Sequence, residues 1–249
     1  MDLSLIVGLI VGFGALGMGL IMEGGELGGI IGIPAFIIVV PGSLGVAIVG
    51  SGIGGVVRIP KLFALTLRPV GMDPGELMGQ LVSLAEKARR EGLLSLEEES
   101  EALEEEFLKK GLGLVIDGTD PEQVRAILEI DLLVMEERHE LGIKMLKGLG
   151  GYAPTLGIMG TVLGMISVLA ELGGSIEELG ASVALAFIAT LYGVSTANLV
   201  WLPTGDNLEL KSKEEVHVKN MIIEGILSIQ AGDNPRIVEE KLLGFLSPS

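Results

Sequence analysis

The chain has 249 residues, 17 basic against 33 acidic side chains, a formal net charge of −16 and no cysteine. That charge repels a phosphate backbone and argues against nucleic acid, and the missing thiols exclude disulfides, thiolate metal sites and cysteine nucleophiles. A mean hydropathy of +0.60 and 49% hydrophobic residues exceed what a soluble domain of this length needs and point to membrane spans of about 20 residues each.

The first span covers about 3–22. Met1-Asp2-Leu3-Ser4 ahead of it carries no positive charge, and no small-residue cleavage site follows Met22, so it is expected to be retained rather than cleaved as a signal peptide. Glu23-Gly24-Gly25-Glu26 leaves only a tight connection to a second span at about 27–50. Residues 1–57 therefore form an antiparallel transmembrane hairpin.

Residues 58–148 turn charged and periodic, as expected of a helical cytoplasmic domain. Asp73-Pro74 is a helix start with proline at the first helical position, and Leu77, Leu81, Leu84 and Ala88 mark one face of a helix ending near Gly92. Ser95-Leu-Glu-Glu98 has the spacing of a capping box opening a second helix. That helix would carry seven glutamates between Glu97 and Glu106 ahead of Lys109-Lys110, an order that suits the helix dipole. Thr119-Asp120-Pro121-Glu122 opens a third, with apolar positions at Val124, Ile127, Leu128, Leu132 and Met135, expected to run through Leu141 and Leu149 into the third span.

Spans three and four lie at about 150–171 and 181–203, joined by a connection containing Gly173, Gly174, Glu177 and Glu178. They make a second hairpin over 149–203, followed by a helical cytoplasmic tail over 204–249. All 17 Lys and Arg residues fall within about 51–148 and 204–249, and both short connections are purely acidic. By the positive-inside rule the chain crosses the bilayer four times with both ends in the cytoplasm. The fold class is thus an all-α polytopic membrane protein.

No Asp, Glu, Lys, Arg or His lies in the central part of any span. Proton and ion carriers normally hold a titratable group at mid-membrane, so a partner must supply the carboxylate if this chain serves ion transport. Hydroxyls are present instead: Thr155, Thr161 and Ser167 in span three, and Ser182, Thr190, Tyr192, Ser195 and Thr196, with Asn198, in span four. Such oxygens replace water around a small cation, or else bond the preceding turn of their own helix. Pro154 removes a backbone donor near the start of span three, where a hinge is expected. Gly8/Gly12, Gly28/Gly32, Gly50/Gly54 and Gly160/Gly164 are each four apart and together favour close helix packing.

Nothing points to catalysis. There is no phosphate loop between a strand and a helix, the carboxylates sit on charged helical faces, and His139 and His217 are too few for a histidine metal centre. The chain is read as a non-enzyme with no metal site and no cofactor. Arg89 and Arg90 end one helix and Glu97 and Glu98 begin the next; this mixed-charge tip serves solubility or docks on a partner.

Tyr152-Ala-Pro-Thr-Leu-Gly-Ile-Met-Gly-Thr-Val-Leu-Gly164, Lys87-Ala-Arg-Arg-Glu-Gly-Leu-Leu-Ser-Leu-Glu97 and the tail Asn234-Pro235-Arg-Ile-Val-Glu-Glu-Lys-Leu, in this order of hairpin, domain, hairpin and tail, resemble the MotA/PomA stator subunits of the bacterial flagellar motor. The resemblance covers essentially the whole chain. It implies a pentamer in the bacterial cytoplasmic (inner) membrane around a dimer of a MotB-like single-span partner, whose membrane aspartate carries Na⁺ or H⁺. It also implies that Arg89, Arg90, Glu97 and Glu98 face the rotor protein FliG, that Thr161 and Thr190 line the ion path, and that Pro154 and Pro235 serve ion coupling. Threonine at the position of Thr161 is the habit of sodium-driven members, which favours Na⁺. Two other readings stay open: an ExbB/TolQ-like energiser of outer-membrane transport, whose members typically have three spans, and a membrane scaffold without transport.

Overall fold

The computed structural model describes residues 3–69, 71, 73–170 and 176–246, and they form two compact units. Four helices are long and apolar enough to cross a membrane, in Ser4–Met22, Ile33–Val57, Pro121–Ala170 and Ser182–Gln230. The expected all-helical architecture is present.

The first unit comprises Met1–Pro69 and His139–Leu210. It holds α1 (Ser4–Met22), α2 (Ile33–Val57), α3 (Ile59–Thr66), the later part of α7 (Pro121–Ala170), α8 (Ile176–Ser195) and the start of α9 (Leu202–Gln230). Span two begins later than expected. Leu27–Ile30 forms only a 3₁₀ turn, and Gly32 is extended at φ −125° and ψ 101°. Three glycines in Leu27–Gly32 explain this, since each costs a helix about 1 kcal/mol against alanine. The helix then continues to Val57 rather than 50, with a break at Gly52, whose φ of +72° a side chain would resist. Glu177 and Glu178 are helical rather than part of a connection, because α8 starts at Ile176; Gly173 and Gly174 lie outside the described residues. Between α8 and α9 the backbone widens into a π turn over Thr196–Trp201. Val39, Ala47, Leu146, Leu149, Ala153, Ala197 and Trp201 form the main buried cluster, with Phe63 edge-on to Trp201 at 6.1 Å between ring centroids.

The second unit comprises Val70–Arg138 and Lys211–Ser249. It holds α4 (Pro74–Glu91), α5 (Glu97–Ala102), α6 (Glu106–Ile116), the start of α7, the rest of α9 and α10 (Pro235–Leu243). The Asp73 carboxylate caps α4 as expected, accepting from the Gly75 and Glu76 amides at 2.9 and 3.2 Å. Its core is a set of fully buried aliphatics: Leu77 and Leu81 of α4, Leu108 and Leu112 of α6, Val124 and Leu128 of α7, Ile222 and Ile226 of α9, and Val238 and Leu242 of α10.

The glutamate-rich helix expected from Ser95 onward is two helices. Ser95 is not their cap: it lies in a 3₁₀ turn over Leu93–Leu96, where its hydroxyl donates to the Gly92 carbonyl at 2.7 Å. The second break comes at Glu105, which takes an extended conformation and caps α6 by accepting from the Leu108 amide at 2.8 Å. A carboxylate at an N-cap satisfies donors that the preceding helix could not. Lys219 holds that carboxylate at 3.3 Å while lying 4.6 Å above the Phe107 ring.

Candidate functional site

In the first unit α7 and α8 approach backbone to backbone. A Cβ added at Gly193 would lie 2.6 Å from the Ala153 carbonyl oxygen, and one at Gly157 would lie 2.8 Å from that of Ala189. Gly160 and Gly164 continue the line against Ala189 and Ala186, where an added Cβ would lie 2.7 Å from the alanine Cβ in each case. Of the four glycine pairs expected to pack, only this one has both members at such an approach within the described residues. Gly8, Gly28 and Gly54 face open space. Gly157 and Gly193, which belong to no such pair, are where the backbones come nearest.

This closeness brings hydroxyls together. Thr161 Oγ1 lies 2.6 Å from Thr190 Oγ1, 2.9 Å from the Ala186 carbonyl and 3.2 Å from the Gly157 carbonyl. Four oxygens share two hydroxyl protons here, so lone pairs outnumber donors. Small hard cations seek such a group, and low dielectric strengthens the attraction. Thr161 thus adds contacts across to α8 to the bond on its own helix, whereas the bonds of Thr155, Ser167, Thr196 and Asn198 run to carbonyls three or four residues back on their own helices. Sequence spacing alone does not separate the two kinds; the separation comes from which face meets the glycine line.

Tyr192 was one hydroxyl among several in the sequence, and its position is distinctive. Its phenol accepts from the Gly32 amide at 3.2 Å and donates to the Ile30 carbonyl at 2.8 Å. Both backbone groups lie where the chain passes from the 3₁₀ turn into α2 and cannot find helical partners. Unpaired, each would cost several kcal/mol in hydrocarbon. Two residues apart on a helix, Thr190 and Tyr192 sit on nearly opposite faces, so α8 is tied to α7 on one side and to the entry of α2 on the other. Pro154 lies inside α7, and its Cα is 3.1 Å from where a Gly193 Cβ would sit.

In the second unit α4 ends at Gly92, whose φ of +86° turns the chain, and the 3₁₀ turn delivers it to α5. The Lys87 ammonium and Glu99 carboxylate bridge the two helices at 2.9 Å. Glu99 raises the Lys87 pKa through that hydrogen bond, against the opposing effect of desolvation. Arg89, Arg90, Glu97 and Glu98 are all exposed, and none of them has an ion-pair partner within 4.0 Å among the described residues. The tip is therefore braced by one charge pair and presents four further charged side chains. Sequence reasoning missed Lys87 and Glu99 because they are twelve residues apart, and only the turn at Gly92 makes them neighbours. Pro235 opens α10 after Asn234, whose side chain accepts from the Arg236 amide at 3.1 Å.

Comparison with known proteins adds three findings. Residues 99–221 match the family model described as the MotA/TolQ/ExbB proton channel family. Motility protein A of Borreliella burgdorferi is 42% identical over 248 residues, covering 100% of this chain and 95% of that protein. Two solved structures superpose closely. The C. jejuni MotAB structure has a TM-score of 0.94 at 32% identity, covering 99% of this chain and 96% of that one. The flagellar MotAB stator complex from Bacillus subtilis has a TM-score of 0.91 at 34% identity, covering 97% and 95%.

Proposed function

Because this chain belongs to the MotA/TolQ/ExbB family, among its motility protein A members, we propose that it is an ion-driven stator subunit of the bacterial flagellar motor. Likeness to MotAB complexes along nearly the whole chain carries the reading. The chemistry of the spans supports it: no carboxylate lies in their central parts, so the ion-carrying group must come from another chain. A MotB-like single-span partner with a membrane aspartate fits that need. The assembly is a pentamer of this chain around a partner dimer, in the cytoplasmic membrane with both ends of the chain in the cytoplasm.

A cation entering from outside neutralises the partner's aspartate and changes which face of the pentamer packs best against the dimer. The pentamer then steps around the dimer, and the tips carrying Arg89, Arg90, Glu97 and Glu98 push the rotor protein FliG. Pro154 and Pro235 are the coupling hinges. Each charge crossing releases about 2.3 kcal/mol per 100 mV. The ion is Na⁺: the four oxygens around Thr161 offer hard ligands that a sodium ion uses and a proton, carried by the aspartate alone, does not.

The test is rotation of tethered cells lacking their own stators, with this chain and its partner expressed at matched ionic strength with and without sodium. Speed that rises with sodium is expected, and Thr161→Ala should weaken that dependence severalfold. Sodium dependence unaltered in Thr161→Ala would remove the hydroxyls from the ion path. Paralysis despite confirmed assembly and rotor compatibility would overturn the motor reading in favour of an ExbB/TolQ-like role.

A further inference from the structure

The charged tip carries an apolar residue in a place that solubility does not explain. Leu94 is 72% exposed, the most exposed large hydrophobic side chain among the described residues of the second unit. Single exposed leucines are ordinary on protein surfaces, but this one is held out by its neighbours. Leu96 is fully buried and Leu93 packs partly against the unit's core, so the turn is anchored on both sides of Leu94. The Ser95 hydroxyl and amide both bond the Gly92 carbonyl, at 2.7 and 3.2 Å, and the Lys87–Glu99 pair closes the base. A fixed turn therefore presents one bare leucine, with the last turn of α4 on one side and the first turn of α5 on the other.

An exposed apolar residue flanked along the chain by exposed charges has the make-up of a binding hot spot, in which the apolar group supplies affinity and the charged rim sets register. Because the turn is already braced, little ordering entropy opposes docking. We propose that Leu94 is the apolar anchor of the rotor-facing tip. It enters an apolar pocket on the rotor protein, rimmed on one side by carboxylates that meet Arg89 and Arg90 and on the other by cations that meet Glu97 and Glu98. The inference rests on the docking reading of the tip given above, and it names the group from which most of the docking affinity comes.

The experiment uses the intact complex in flagellated cells lacking their own stators, with membrane levels of each variant checked by immunoblot. Burial of a leucine side chain implies that Leu94→Ser weakens docking at least tenfold, read as loss of most stall torque, while Leu94→Met, which keeps the apolar volume, retains it. A photo-crosslinking p-benzoylphenylalanine at position 94 should capture the rotor protein. Full stall torque in Leu94→Ser beside its loss in Arg89→Glu would overturn the anchor and leave the docking tip standing. Full torque in both variants would overturn the docking reading itself. Crosslinking to another copy of this chain, and not to the rotor protein, would also overturn the anchor.

Discussion

Helix α7 takes part in both units, and the residues it offers to its neighbours change character along its length. In the second unit it buries Val124, Leu128, Leu132 and Met135. In the first, its contact with α8 is made by Gly157, Gly160 and Gly164. The solvent accounts for the change. In water, burying a large aliphatic side chain is itself the driving force. In lipid the tails are as apolar as leucine, so helices associate through close backbone approach and polar bonds between side chains. The Thr161–Thr190 contact and the two bonds of Tyr192 are therefore the counterparts, in the first unit, of the leucine layer in the second.

The sharpest way to break that comparison is to remove a large side chain from the aliphatic layer. Leu128→Ala takes a fully buried group out of the core and should cost about 2–5 kcal/mol. Trp201 is the only tryptophan and lies in the first unit, so its fluorescence reports there. In denaturant, helix signal should be lost at a lower concentration than in the parent, while the Trp201 transition stays in place. A Trp201 transition that moves equally would mean that the two units unfold as one, and the contrast would lose its energetic meaning.

The next effect is the opposite operation. Gly193→Ala adds a methyl group 2.6 Å from the Ala153 carbonyl oxygen, which neither helix can accommodate without separating. Overpacking of this kind costs about 1–3 kcal/mol and should lower the Trp201 transition. Gly79→Ala in α4 is the control, because its Cβ meets nothing within 4 Å. There the change should be neutral or stabilising by up to about 1 kcal/mol. Equal outcomes at both sites would show that close approach is not what holds α7 to α8.

Much of this was legible in the sequence because it depends on periodicity and punctuation. The leucine face of α4, its Asp73 cap and the start of α7 at Pro121 follow from local signals that act within one turn. The four spans follow from runs of apolar residues. What the sequence concealed depends on contacts between distant segments. Gly157 and Gly193 carry no pairwise motif, yet they meet because two helices cross there. Tyr192 finds Ile30 and Gly32 across 160 residues or more, and Glu105, where the acidic helix breaks, meets Lys219 from a distant part of the chain. Ser95 had the spacing of a cap and spent its hydroxyl on a turn instead, because the glycine before it lets the chain reverse. Thr161 and Thr190 were two hydroxyls among several until family likeness singled them out; their meeting at 2.6 Å adds a geometric reason for treating them as one group.

The smallest expected effect separates the units by their response to acid. In the second unit the Lys241 ammonium donates to the Asp233 carboxylate at 2.8 Å and lies 3.7 Å from Glu224. The hydrogen bond from Lys241 lowers the Asp233 pKa despite some desolvation, and the same bond raises that of Lys241. A carboxylate with a depressed folded pKa contributes stability that is complete above its unfolded value, about 4, and is lost as the pH falls through the folded one. The lysine works at the other end, its contribution fading only as the pH rises through its raised value. Both groups are partly solvated, at 29% and 42% side-chain exposure, so screening holds the acid effect below about 1 kcal/mol. Amide hydrogen exchange in α10 should therefore quicken as the pH falls below about 4, more in the parent than in Asp233→Asn once the intrinsic pH dependence of exchange is removed. The hydroxyls of Thr161 and Thr190 do not titrate in that range, so exchange near residues 157–161 should show no matching change. Acid sensitivity of equal size in that part of α7 would mean that a charged group governs the α7–α8 contact after all.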